Sequence, residues 1–248
     1  MEVIKMDMDK NKKMLLSIVA ALIVFASIIG SLAYHQKEEE SLPKNDAIKF
    51  KEEYESLNGS INEDNKMTYP VVEVKDTNPV RYLSDDEAAN RLKNGTGLFY
   101  FGFSSCPWCR SMVPILLKAA SNTNLGEINY VDIKNIRDQL VLDDNDKVVI
   151  RDEGTNGYRE ILKALDSVLE PYYLKNKDGK NIDTKEKRLY APTVVVVKEG
   201  KILDIHVDTV ASQENAYTPL NEKQQEELYN IYQNMILKLL DSTCDEAC

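Results

Sequence analysis

The sequence predicts a mixed α/β fold, and three features of the chain support this prediction. The apolar run Leu98–Phe103 is followed by a helical stretch that opens with the Cys-Pro-Trp-Cys segment Cys106–Cys109. A second apolar run, Ile128–Ile133, follows that stretch, which gives the strand–helix–strand order of a parallel βαβ unit. Pro192 then precedes a run of β-branched residues, a turn at Glu199-Gly200 and a return strand, which together indicate an antiparallel hairpin.

The domain is expected to span residues 69–241, and its first elements follow in order along the chain. Val71–Val74 has the composition of a first strand. The segment Ser84–Glu87 supplies a capping serine with an acid three residues later, and Gly95 is expected to end the helix that begins there. The helix after the central apolar strand is expected to run from about Pro107 to Ala120.

The Cys106–Cys109 segment has the spacing of a redox-active cysteine pair. A thiol at a helix N-terminus is favoured as thiolate by the unsatisfied N–H groups and the helix dipole, so Cys106 is the expected nucleophile, with an exposed sulfur and a lowered pKa. Cys109 follows one turn later, where it can resolve a mixed disulfide between Cys106 and a substrate. Zinc knuckles share this spacing but usually have a glycine after the second cysteine, where this chain has Arg110. We therefore expect thiol–disulfide exchange, with a static disulfide and a four-cysteine zinc site as alternatives.

The runs Phe101–Leu116 and Ala191–Ile202 both resemble the thioredoxin superfamily in residue types and local spacing. The resemblance covers residues 69–241 and implies a thioredoxin-like fold, with a central mixed β-sheet flanked by helices. In that family a cis proline before a strand faces the cysteine pair, and Pro192 occupies that place. The resemblance also implies that the backbone of Ala191 pairs with an extended substrate by strand addition. A trans proline at a strand start is the alternative.

Three neighbours of the cysteines are expected to affect their chemistry. Pro107 is already shaped for the first helical position and has no N–H to offer a thiolate, so it is expected to tune the pair. Trp108 offers an apolar face to an incoming peptide, or only packs against the domain. Many thioredoxins carry a buried acid six residues before the first cysteine, which helps to deprotonate the second thiol. Here Tyr100 occupies that position, and the sequence identifies no general base.

Residues 134–188 form an insertion, because this part of the chain is clearly longer than its counterpart in a bare thioredoxin. Gly157–Leu169 has a helical apolar period that Pro171 is expected to stop, and Asn176–Asn181 is predicted to be a loop. The insertion either shapes a substrate groove or decorates the edge of the fold, and decoration is the preferred interpretation. The final helix is expected to start at Thr218-Pro219 and to turn its apolar side to the core.

The uncharged apolar stretch Met14–Tyr34 is long enough to cross a hydrocarbon core of about 30 Å. Three lysines just before it indicate a cytoplasmic N-terminal tail over residues 1–13. We expect a single-pass transmembrane helix that anchors an extracytoplasmic catalytic domain in the cell membrane. A signal peptide cleaved near Ser31–Ala33 is the alternative. Residues 35–68 are rich in Lys, Glu, Asn and Ser and are predicted to form a polar stalk, partly helical around Ala47–Leu57.

Charge and cysteine usage narrow the choice of partners. The formal net charge of −10 argues against nucleic-acid binding and against attraction to anionic lipid surfaces. The four cysteines fall into two close pairs, Cys106 with Cys109 and Cys244 with Cys248, whereas a disulfide scaffold disperses its cysteines. The second pair lies in a tail over residues 242–248 and is a possible secondary redox pair. A small tail disulfide and idle thiols are the alternatives. No cofactor and no metal site are predicted.

These features predict a membrane-anchored bacterial thiol-disulfide oxidoreductase that acts on the thiols and disulfides of exported proteins, with an unidentified redox partner. The layout of anchor and domain is loosely similar to thioredoxin-like accessory proteins found with bacteriocin export systems. The alternative is a non-catalytic thioredoxin-fold module that binds peptides or assists bacteriocin export. Loss of either cysteine of the Cys106–Cys109 pair would favour that alternative, and both are present.

Overall fold

The computed structural model describes residues 44–241, and the predicted transmembrane helix and cysteine-containing tail lie outside this range. Within residues 44–241, no helix combines the length and the apolar character that crossing a bilayer requires. The helices and strands follow in the order α1 Lys44–Glu55, β1 Val80–Tyr82, α2 Asp85–Asn94, β2 Gly97–Gly102, α3 Pro107–Asn122, β3 Ile128–Asp132, β4 Gln139–Leu142, β5 Val148–Asp152, α4 Asn156–Ala164, β6 Pro171–Lys175, β7 Asn181–Lys187, β8 Thr193–Lys198, β9 Lys201–Val207 and α5 Glu222–Asp241.

A five-stranded mixed sheet with the strand order β1-β3-β2-β8-β9 forms the centre of the domain. Strands β1, β3 and β2 run parallel to one another, as the predicted βαβ unit requires. Strand β8 pairs antiparallel with β2 and with β9, which confirms the predicted hairpin around Glu199-Gly200. The carboxyl end of β2 therefore lies beside the start of β8, and the two predicted functional segments meet there.

Strand β2 is buried on both sides, and its side chains alternate between two cores. Leu98 and Tyr100 belong to a cluster with residues of α1, α3 and α5. Phe99 and Phe101 belong to the cluster on the other face, with residues of α2 and α4. Because helices cover both faces of the sheet, the central strand carries apolar residues at every position.

Helix α1 belongs to the domain, and the prediction that residues 35–68 form a polar stalk is wrong for the part that the structure describes. Ala47, Phe50 and Tyr54 lie on one face of α1 and are buried in the core. The other positions of the helix are mostly charged, so the average composition concealed this narrow apolar stripe. An ion pair between Lys51 and Asp76 (2.6 Å) further ties the helix to the chain that follows.

The segment Val71–Val74 is not a strand, which corrects the prediction of a first strand there. Val72 and Val74 are buried, as an alternating pattern suggests, but their N–H groups bond to side chains instead of a neighbouring strand. The acceptors are Asn58 Oδ1 for Val72 and Glu55 Oε1 for Val74, each at 2.9 Å. The first strand is β1, which pairs with the outer edge of β3.

The helix boundaries near residues 84 and 218 illustrate how capping decides where a helix starts. Ser84 and Glu87 form the predicted capping box at the start of α2, and Gly95 is its C-cap. The last helix starts later than Thr218-Pro219, because Asn221 and Gln224 cap it reciprocally at 3.0 Å in both directions. The N–H groups of the first turn have no acceptor within the helix, and a reciprocal cap supplies acceptors for two of them. The cap therefore determines the residue at which the helix begins.

The insertion between β3 and β8 contains more strand than predicted. The expected helix over Gly157–Leu169 is divided into α4 and a short 3-10 turn, Asp166–Val168, and Pro171 then begins strand β6. Strands β6 and β7 form a hairpin around the predicted Asn176–Asn181 loop. Strands β4 and β5 form a second hairpin that the sequence analysis did not predict.

Candidate functional site

Cys106 lies at the N-terminus of α3, just beyond the carboxyl end of β2. The Cys106 N–H donates to the Phe103 carbonyl oxygen (3.1 Å), which closes the turn between strand and helix. The Cys106 sulfur is the capping group of α3 and accepts the Cys109 N–H at 3.3 Å. Pro107 follows in the first turn, as predicted, where a missing N–H leaves no unsatisfied donor. The sulfur thus holds the place that a serine or aspartate oxygen holds at many helix N-termini.

The Cys106 sulfur also contacts the loop that leads into β8. Its S–H donates to the Ala191 carbonyl oxygen at 3.4 Å. The Ala191–Pro192 peptide bond is cis, as the resemblance implied. The Asp208 N–H donates to the Pro192 carbonyl oxygen (2.9 Å), so the end of β9 holds this loop in place. The structure therefore brings the predicted site residues of both segments together around one sulfur atom.

The two thiols differ in their accessibility. Cys109 is completely buried, whereas Cys106 is 5% exposed, so the expectation of an openly exposed Cys106 sulfur is wrong. The Ala191 backbone contacts the sulfur, and Ala191 and Trp108 both pack against the apolar cluster that contains it. Trp108 is itself only half-buried. Of the two cysteines, Cys106 is the one that keeps some exposed surface.

The environment favours the thiolate at Cys106 and disfavours it at Cys109. A hydrogen bond from the Cys109 thiol is the main cause that lowers the pKa of Cys106, against the opposing effect of burial. The N–H groups of Cys109 and Trp108 lower the Cys106 pKa further, and the charge of Asp208 raises it. Burial raises the pKa of the Cys109 thiol well above its usual value. The pair therefore holds one proton preferentially on Cys109.

A pair of buried tyrosines lies behind Cys109. The hydroxyl oxygens of Tyr54 and Tyr100 are 2.6 Å apart, and the Tyr100 hydroxyl hydrogen-bonds to the Cys109 thiol. This bond lowers the pKa of Cys109, although the effect of burial is larger. Burial also raises the pKa of both tyrosines well above the usual value, so both remain protonated donors. A neutral pair of hydroxyl groups thus lies beside the Cys109 thiol.

Gly102 leaves the room that this arrangement needs. A Cβ atom at position 102 would overlap the ring and hydroxyl of Tyr100. The Tyr100 side chain can therefore lie along its own strand, towards the N-terminus of α3, only because residue 102 has no side chain.

Arg110, directly after the second cysteine, is a buried cation that ties the site to the N-terminal part of the domain. Its side chain is 1% exposed and donates to the carbonyl oxygens of Tyr54 (2.7 Å) and Pro70 (2.8 and 3.0 Å). It also donates to Asn58 Oδ1 at 2.6 Å and to the Ser104 carbonyl oxygen at 3.3 Å. Neutral oxygens alone therefore satisfy this guanidinium, and burial lowers its pKa.

Sequence reasoning missed Tyr54, Arg110 and Asp208 as members of the site. Tyr54 lies in the segment that was predicted to be a stalk, although its spacing from Phe50 and Ala47 carries a helical apolar signal. Arg110 and Asp208 have no such signal, because the residues around them in sequence do not distinguish them from charged residues on the protein surface. Only the fold reveals that one is buried and that the other lies beside Pro192.

Within residues 44–241, no group of three or more His, Cys, Asp or Glu side chains is arranged to hold a metal ion. Cys244 and Cys248 lie outside the described residues, so their role as a secondary redox pair stays a prediction.

Comparisons with protein-family models, with curated proteins and with solved structures found no match for this chain.

Proposed function

We propose that this chain is a thiol-disulfide oxidoreductase of thioredoxin-like fold, with Cys106 as nucleophile and Cys109 as resolving thiol. The observation that carries the proposal is the Cys106 sulfur, which caps helix α3, accepts the Cys109 N–H and has a lowered pKa. The contact between this sulfur and the Ala191 carbonyl oxygen and the order of strands in the sheet support it as well.

The proposed reaction is two successive exchanges that conserve electrons. The Cys106 thiolate attacks one sulfur of a substrate disulfide, forms a mixed disulfide and releases the other substrate sulfur as a thiolate. The Cys109 sulfur, after losing its proton, attacks Cys106, which releases the second substrate thiol and leaves a Cys106–Cys109 disulfide. Two electrons pass from the protein to the substrate, and an external dithiol returns them. With an external oxidant the same steps run in reverse and form substrate disulfides.

The substrate is proposed to bind along the loop before β8. The Ala191 carbonyl oxygen lies next to the attacking sulfur, where an extended peptide can align its backbone, and the accessible face of Trp108 can contact the same peptide. We further propose that Met14–Tyr34 anchors the domain outside the cytoplasm, as for the accessory proteins of bacteriocin export that the layout loosely resembles. Exported proteins would then be the substrates.

The second candidate is a module that binds peptides at the same loop without exchanging thiols. The Cys106 sulfur caps the helix, accepts the Cys109 N–H at 3.3 Å and lies one helical turn from a second thiol, an arrangement that thiol exchange uses and peptide binding alone does not need. The geometry therefore favours the enzyme.

Turnover separates the two candidates. The full-length chain, with dithiothreitol as the external dithiol, is expected to accelerate reduction of a disulfide-bonded peptide above the rate of dithiothreitol alone. Cys106→Ser is expected to abolish the acceleration, whereas Cys244→Ser/Cys248→Ser serves as the matched control that also removes thiols. Equal rates for the wild type and Cys106→Ser would refute the proposed reaction and favour the binding module.

A further inference from the structure

The insertion builds a basic cavity beside the cysteine pair. The cavity has a volume of about 270 Å³, and its lining includes Lys134, Arg137, Arg151 and Arg188 together with the ring of Tyr172. A concentration of four cations in one cavity is unexpected in a chain with a net charge of −10. The insertion, for which decoration was the preferred interpretation, therefore shapes a concave surface.

Three of these cations, Lys134, Arg137 and Arg188, have no carboxylate partner among residues 44–241, whereas Arg151 pairs with Asp152 at 3.2 Å. Arg188 donates to the backbone carbonyl oxygen of Asp138 (3.4 Å) and its guanidinium lies 4.4 Å from the centre of the Tyr172 ring. Arg137 has a buried Nε atom with no hydrogen-bond partner within residues 44–241. Burial and the charge of Arg188 both lower the pKa of Arg137. Two like charges that repel each other in a partly buried place are costly unless a ligand compensates them.

Two residues that line the cavity, Arg137 and Tyr172, each contact an aromatic ring next to the site. The Arg137 guanidinium lies 5.3 Å from the centre of the Phe103 ring, and the Phe103 carbonyl oxygen accepts the Cys106 N–H. On the other side, the ring of Tyr172 contacts that of Tyr190 at 6.2 Å between centres, and Tyr190 directly precedes Ala191. A group bound in the cavity is therefore adjacent to the loop along which the proposed substrate lies.

We propose that this cavity binds a carboxylate of the substrate polypeptide, so that Cys106 preferentially attacks disulfides with an acidic residue nearby. The inference rests on the proposed function. Arginine forks match the geometry of a carboxylate and bind it with charge-assisted hydrogen bonds. The cavity is large enough for an acidic side chain, and the net charge of −10 disfavours the approach of large polyanions.

The test uses three synthetic peptides of identical length, each carrying one mixed disulfide, with Glu, Gln or Lys at the positions flanking the cysteine. The full-length chain is expected to reduce the Glu peptide about tenfold faster than the Gln peptide at low salt, and the Lys peptide most slowly. Arg137→Gln and Arg188→Gln are each expected to reduce the Glu preference severalfold. Arg159→Gln is the matched control, because Arg159 belongs to the same insertion, pairs with Glu153 and does not line the cavity.

Binding provides a readout that does not depend on turnover. The probe is a Glu peptide with serine in place of its cysteine, which is expected to bind the wild-type chain. Its affinity for the Arg188→Gln variant is expected to be about tenfold lower. Arg188 is partly accessible, and circular dichroism verifies that the variant folds. Equal rates and equal affinities for the Glu and Gln peptides would overturn the inference while leaving the reaction intact. Binding of inorganic phosphate with the same arginine dependence, but no preference for the Glu peptide, would assign the cavity to a free anion and also overturn it. Loss of turnover for every peptide would refute the proposed function, and the affinities would still decide the inference.

Discussion

The hydroxyl groups of Tyr54 and Tyr100 form a buried hydrogen bond of 2.6 Å. The Tyr100 hydroxyl also hydrogen-bonds to the thiol of Cys109. Tyr54 comes from the first helix of the domain and Tyr100 from the central strand, so the contact links distant parts of the sequence. Both hydroxyls are neutral, because burial raises the pKa of each tyrosine. Cys109, the proposed resolving thiol, therefore receives its side-chain hydrogen bond from a neutral hydroxyl group.

Removing this hydrogen bond is expected to slow the resolving step. Tyr100→Phe removes a hydrogen bond that lowers the pKa of Cys109, so this pKa rises further. Less Cys109 thiolate is then available to attack the mixed disulfide. The mixed disulfide between Cys106 and a peptide should therefore persist longer than in the wild type. Quenched-flow sampling with acid trapping and mass spectrometry measures its lifetime.

Tyr130→Phe is the matched control for Tyr100→Phe. Tyr130 is also buried, its ring centre lies 5.1 Å from that of Tyr100, and its hydroxyl has no hydrogen-bond partner among residues 44–241. This variant should leave the lifetime of the mixed disulfide unchanged. A similar delay in both variants would show that packing, and not the Tyr100 hydroxyl, controls resolution.

The reactivity of Cys106 should depend on pH in the direction that its lowered pKa requires. The thiolate forms at a lower pH than in an unperturbed cysteine, whose pKa is about 8.5, so alkylation should reach half its maximal rate below that value. The rate should fall as the pH drops through the lowered pKa. Iodoacetamide kinetics in a Cys244→Ser/Cys248→Ser background report on this thiol, because Cys109 is buried and its own pKa is raised. This background keeps the Cys109 thiol, whose hydrogen bond is the main cause of the lowered Cys106 pKa, so a midpoint at or above about 8.5 would contradict that role.

Asp208 is expected to oppose the thiolate of Cys106. Its N–H bonds to the Pro192 carbonyl oxygen, which places it beside the site, and its charge raises the pKa of Cys106. Asp208→Asn should therefore move the alkylation profile to lower pH. Asp204→Asn on the same hairpin removes an equal charge that is paired with Lys238 at 2.6 Å, and should leave the profile in place. An unchanged profile in Asp208→Asn would contradict this assignment.

Arg110 is expected to contribute to stability more than any exposed arginine of the domain. Arg110→Ala leaves the carbonyl oxygens of Tyr54 and Pro70 without this donor, and each unpaired buried group costs about 1–3 kcal/mol. The free energy of unfolding in urea should therefore fall by about 2 kcal/mol or more. Arg159→Ala removes an exposed ion pair and should cost less than about 1 kcal/mol. Equal losses in the two variants would contradict the structural role of Arg110.

The fold of the central sheet was predictable because its elements carry strong local signals. The apolar run of β2, the capping box at Ser84 and the proline before β8 each indicate an element from a few neighbouring residues. Helix α1 was missed because its three buried residues are diluted by charged ones, and Val71–Val74 was misassigned because its partners are the side chains of Asn58 and Glu55. Such side-chain partners lie far away in sequence and leave no local pattern.

The candidate site was only partly predictable for the same reason. Cys106, Cys109 and Pro192 follow from spacing and resemblance, whereas Arg110 and Arg137 acquire their roles from burial. The sequence contains no period or motif that separates a buried arginine from an exposed one. The burial of Cys106 itself was also mispredicted, because the backbone that covers it comes from Ala191, 85 residues later.

Trapping of the mixed disulfide tests the central claim most directly. The full-length chain is prepared as Cys109→Ser and as Cys106→Ser, both with Cys244→Ser and Cys248→Ser, and each is mixed with a peptide disulfide and analysed on non-reducing gels and by mass spectrometry. Cys109→Ser should accumulate a peptide joined to Cys106, since the attacking thiolate is present and the resolving thiol is gone. Cys106→Ser should trap little or none, because Cys109 is buried and its pKa is raised. Equal trapping by the two variants, or trapping by Cys106→Ser alone, would contradict the assignment of Cys106 as the nucleophile.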